Sequence, residues 1–201
     1  MKKYTVTWGW QPPLYENLLG GTYLFYNTEK QTELNYRLDA ETGEGKEEVI
    51  DTWLCDIQEI ENTELLEMLK NSPESPECQR LLLKERILAY GSSRHVDGFY
   101  INGKLMWLDK QKRVGLKLRF ESEQKIGKQQ TTLWDNGVPY PLPLTGDITA
   151  LDILCSLELY ASESYDAIQM HIAMADTLKK VNDMKEYNYK QNLPQMLSFN
   201  F

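Results

Sequence analysis

The chain holds two histidines, His95 and His171, and imidazole is the side chain best suited to move protons near neutral pH or to hold a transition metal. His171 falls in a long apolar-periodic segment, on one helical face with Tyr160, Ser164, Ala167 and Ala175. No nucleophile or carboxylate stands at adjacent helical spacing, so it reads as a packed or capped polar group rather than a general base. His95 falls in a loop, and two separated histidines cannot form a multi-histidine metal site without acids gathered from elsewhere. Cys55, Cys78 and Cys155 are widely spaced, odd in number and free of any Cys-x-x-Cys pair, a pattern that fits buried thiols in a reducing cytoplasm better than a disulfide framework or a zinc site. Glu158, Ser162, Tyr165 and Gln169 form a polar stripe that reads as a solvated or partner-facing side of the helix bearing His171. Phosphate-loop, nucleophile-elbow, zinc-protease and calcium-loop patterns are missing, so the sequence assigns no catalytic residue, no metal ligand and no cofactor.

One cluster carries more information. Trp107-Leu108-Asp109-Lys110-Gln111-Lys112-Arg113 joins a strand end to a helix start, where Asp109 is placed to cap the helix and Trp107 to anchor the core. Lys110, Lys112 and Arg113 enter the first turn, which already carries partial positive charge, so the pattern asks for a compensating acid or a bound anion. An Arg113 bridge to an acid, fixing hairpin to helix, is the structural reading. Trp134, beside a second turn, reads as the matching anchor of a second hairpin.

These side chains need elements to position them. Residues 4–10 alternate β-branched and aromatic side chains up to Pro12-Pro13, and Gly20-Gly21 marks a turn. Residues 22–27 and 32–38 predict a hairpin across the polar stretch Thr28-Glu29-Lys30-Gln31. Gly43-Glu44-Gly45-Lys46 breaks the pattern before residues 49–57, which read as another strand or as an irregular crossing, and Thr63 opens a short capped helix that ends at the Asn71–Pro76 linker. A helix from Pro76 to about Tyr90 follows, then a hairpin over 96–107 around Asn102-Gly103. Next come a helix over 110–126 with an imperfect apolar stripe (Val114, Leu116, Leu118, Phe120, Ile126) and a hairpin around Asp135-Asn136-Gly137 whose prolines confine its second strand to an edge. A long helix from Asp147 or Thr149 to about Lys180 and a tail ending in Phe199 and Phe201 complete the order. The fold class is therefore α+β, with an N-terminal small β module (1–75) and a helix-hairpin-helix-hairpin-long helix domain (76–201) expected to fold alone.

Hydrophobic residues make up 41% and charged residues 26%, which places the chain among folded globular proteins, and no apolar run reaches the ~18 residues of a membrane span. Residues 1–75 hold 6 basic against 15 acidic side chains, whereas 76–128 hold 12 against 6. This opposition could steer docking or self-association, or simply keep two surfaces wet. A net charge of −8 argues against nucleic acid as a partner, and no feature asks for a membrane. Met170, Ile172, Ala173, Met174 and Ala175 put apolar atoms on nearly every side of the long helix. Met170, Met174, Phe199 and Phe201 are the interface candidates, with the β module, the tail or a second copy as the surface that covers them.

Residues 81–201 also resemble a family of phage and prophage proteins described as a domain of unknown function. The likeness rests on Leu83-Lys84-Glu85-Arg86-Ile87, Tyr90-Gly91-Ser92-Ser93, Val96-Asp97-Gly98-Phe99 with Asn102-Gly103-Lys104, and the signature Trp107-Leu108-Asp109-Lys110 with Arg113 and Gly115-Leu116. Thr131-Thr132-Leu133-Trp134, Leu157-Glu158-Leu159-Tyr160-Ala161 with Tyr165 and His171, and Tyr187-Asn188-Tyr189 with Pro194 and Leu197 continue it in order. Members are similar to proteins encoded near phage tail genes. The resemblance thus implies an adaptor module and no catalytic residue: a non-enzymatic structural or adaptor component of a tail, baseplate or fibre, made in the bacterial cytoplasm and carried in the virion. Its expected partners are other tail or baseplate proteins and, as a homo-oligomer, itself. A tail-assembly chaperone absent from the virion, and a host-cell enzyme or small-ligand binder, remain as alternatives.

Overall fold

The computed structural model describes residues 3–18, 20–38, 45–135 and 137–201; the break at Gly43-Glu44 and Asn136 of the second hairpin turn lie outside them. In chain order the elements are β1 (Lys3–Trp8), β2 (Tyr15–Leu18), β3 (Gly21–Leu38), β4 (Gly45–Glu59), α1 (Thr63–Asn71), α2 (Pro76–Gly91), α3 (Arg94–Asp97), β5 (Gly98–Ile101) and β6 (Lys104–Trp107). They continue with α4 (Lys110–Lys125), β7 (Gln130–Asp135), β8 (Val138–Pro143), α5 (Ala150–Thr177), α6 (Val181–Glu186) and β9 (Ser198–Phe199). The class is α+β, with an antiparallel N-terminal sheet and a long C-terminal helix. Two compact units form: Met1–Tyr90 with Leu178–Glu186, and Gly91–Thr177 with Tyr187–Phe201.

In the first unit the sheet runs β1-β4-β3-β2, every pairing antiparallel. The hairpin expected across Thr28–Gln31 is instead one long strand. Asn27 takes a left-handed φ of 53° and its side-chain amide donates to Asp56 Oδ2 at 2.8 Å, while the β3–β4 register shifts between Tyr26 and Glu29. The irregularity is thus a bulge at Asn27–Thr28, and Glu29, Lys30 and Gln31 pair on with Leu54, Trp53 and Thr52 instead of reversing the chain. The proline linker lies inside this unit rather than at its border. Cys78, Leu82 and Ala89 of α2 are buried in one cluster with Leu24, Tyr26 and Leu65, so the helix after the linker belongs with the sheet and α1 before it. Arg80 donates to Leu178 O at 3.2 Å and Lys185 pairs with Glu74 at 2.6 Å, tying the α6 segment to the same unit.

The second unit holds the sheet β6-β5-β9, with β9 parallel to β5, and the separate pair β7-β8. Asn102 (φ 49°) and Gly103 (φ 78°) turn β5 into β6 with both central residues left-handed, the geometry an Asn-Gly hairpin turn requires. In β8, Pro139, Pro141 and Pro143 alternate with the residues that bond to β7; Leu144 extends that bonded set, donating to Gln129 O at 2.9 Å. The positions lacking N–H thus face the open side, and this edge offers no donors to a further strand. Phe99, Ile101, Met106, Phe120, Leu133 and Leu157 are among the residues of a single buried cluster on which α4 and α5 lie. Helix α5 begins in a reciprocal cap: Thr149 N–H and Oγ1 donate to Asp152 Oδ2, and Asp152 N–H donates back to Thr149 Oγ1. It ends at Thr177, short of the expected Lys180.

Candidate interaction surface

Asp109 caps α4 as its sequence position asks, its carboxylate accepting from Lys112 N–H at 2.7 Å and lying 3.8 Å from Lys112 Nζ. Arg113, mostly buried, donates from Nε to Glu158 Oε1 on α5 at 2.7 Å and from Nη1 to Leu108 O at 2.7 Å. One guanidinium therefore holds together the end of β6, the start of α4 and the middle of α5. The crowded positive first turn finds its compensation in Asp109 and Glu158.

His171 is buried, with Nδ1 2.8 Å from Tyr187 Oη and Nε2 2.9 Å from Gln191 O. A carbonyl only accepts, so Nε2 donates to it, and in the neutral ring Nδ1 accepts from the tyrosine hydroxyl. The ring is a clasp between α5 and the tail, with both nitrogens used. Tyr160 is tied in the same manner, donating to Val96 O at 2.6 Å, and burial pushes its hydroxyl above the usual phenol range. Burial likewise pushes the Cys55 and Cys78 thiols up, with Asp56 and Glu74 respectively adding to it, which keeps both protonated and unreactive. Cys155 is exposed.

Trp107 and Trp134 are not core anchors. They are 41% and 61% exposed, because strand alternation turns Met106 and Leu133 inward and the two indoles outward. They flank a groove of about 370 Å³ floored by Met106, Leu108, Leu116 and Leu133 and edged by Lys112 and Arg119. Lys112 Nζ sits 5.8 Å from the Trp107 ring, and Arg119 Nη2 donates to Thr132 O at 2.5 Å. On the other side of α4 a second groove, of about 540 Å³, runs between Val114 and Lys117 of α4 and Leu154, Cys155, Glu158 and Leu159 of α5. The apolar stripe expected to bury α4 does not do so; Phe120 is buried, while Leu118 is 62% exposed and Val114 and Ile126 are also in solvent.

Among the four interface candidates, Met170 (70% exposed) and Met174 (49%) project from α5, and Phe201 is also open, its backbone N–H held by Asn102 Oδ1 at 2.9 Å. Phe199 departs from that expectation. It belongs to β9, packs on the core cluster of its own unit and meets Phe99 edge-on at 6.5 Å between ring centres. The sequence signal for the two grooves was the surplus of apolar residues on α4 beyond one face's need, which reads as a core stripe until the opposing elements are known. Among the described residues no group of three or more histidine, cysteine or acidic side chains could hold a metal ion, and no helix is long and apolar enough to cross a membrane. Comparison with protein-family models, curated proteins and solved structures finds no match to the chain.

Proposed function

We propose that the chain is a non-catalytic structural or adaptor component of a bacteriophage or prophage tail, baseplate or fibre, acting by protein–protein interaction and carried in the virion after synthesis in the bacterial cytoplasm. The observation that carries the recognition part is the pair of exposed indoles, Trp107 and Trp134, flanking an apolar-floored groove on a frame of hairpins and a helix. Tryptophan is the residue most enriched where a few side chains supply most of the binding energy, and solvent exposure of two beside one groove suits a docking face. The polar groups nearest to chemistry support the same reading, since Arg113 and His171 spend their hydrogen bonds inside the fold. The placement in a tail rests on the resemblance of residues 81–201 to the phage family.

Mass spectrometry of purified particles tests this. The chain present in fixed ratio to other tail proteins is the expected result. A chain abundant in the lysate but missing from particles overturns the virion assignment in favour of an assembly chaperone. A Trp107→Ser/Trp134→Ser chain that stays folded yet enters particles normally would remove the indole face from the reading.

A further inference from the structure

We draw no further inference here: the strongest candidate, the apolar groove of about 540 Å³ between α4 and α5 that Val114, Leu154, Cys155 and Leu159 line, carries nothing because nothing in the structure shows what covers it.

Discussion

At the scale of single residues, buried polar contacts divide into those that hold elements and those that merely decorate them. Arg113→Ala should cost about 2–3 kcal/mol by urea denaturation, since it strips charge-assisted bonds from Glu158 and from the Leu108 carbonyl at once. Glu158→Ala should cost less than about 1 kcal/mol, because that carboxylate is half exposed and its charge is screened by water. Equal losses would mean that the ion pair alone matters and the carbonyl contact does not. His171→Leu keeps the volume near the buried site but leaves the Tyr187 hydroxyl and the Gln191 carbonyl without their partner, for an expected loss of about 2 kcal/mol. Backbone exchange in the tail should rise with it; a variant with unchanged stability and tail protection would show that the clasp holds nothing. The Arg113 and Asp109 roles were legible in the sequence because a cap and a charge surplus are local facts. The partners of His171 were not, since Tyr187 and Gln191 reach it only after the chain has left α5 and returned.

Elements were readable where a short-range signal set them. Asn102-Gly103 demanded a hairpin, and the helix start, left open between Asp147 and Thr149, falls to Thr149 through its reciprocal bonds with Asp152. Thr28–Gln31 misled because polar residues between two alternating runs look alike whether the chain turns or bulges, and the choice lies with β4, far along in sequence. Trp107 and Trp134 misled for a related reason, since residue size says nothing about which face of a strand meets the core. The α5 cap also makes a pH prediction. The Thr149 hydroxyl first, and then its amide, hold the Asp152 carboxyl below its ordinary range, against a smaller opposing push from desolvation. A depressed folded-state value gives stability that is complete above the unfolded carboxylate's titration, near pH 4, and is lost as pH falls through the folded value. Asp152→Asn should therefore lower the melting midpoint at pH 7, and the gap to wild type should close in acid. A gap constant from pH 7 to pH 2 would show that the charge contributes nothing to the helix start.

For the whole molecule, charge and composition suggested a boundary in the Asn71–Pro76 linker, whereas the compact units divide between Tyr90 and Gly91. The linker's prolines are a local signal for a break in secondary structure; which body owns the next helix depends on where its apolar side is buried, and that is a long-range fact. The consequence can be measured on a fragment spanning 76–201. Removing the first 75 residues takes Leu24, Tyr26, Ile60, Leu65 and Leu69 away from Cys78, Leu82 and Ala89, leaving one side of α2 uncovered. At ~1.5–3 kcal/mol for each large apolar side chain returned to water, the loss reaches several kcal/mol, comparable with the total stability of an ordinary domain. The fragment should bind a hydrophobic dye, and its α2 amides should exchange freely. The hairpins and α5 have their own cluster around Phe99, Phe120 and Leu157, so their amides should retain protection. Melting the fragment at the full chain's midpoint, with α2 protected, would show instead that α2 is stable without the sheet and that the linker is the true border.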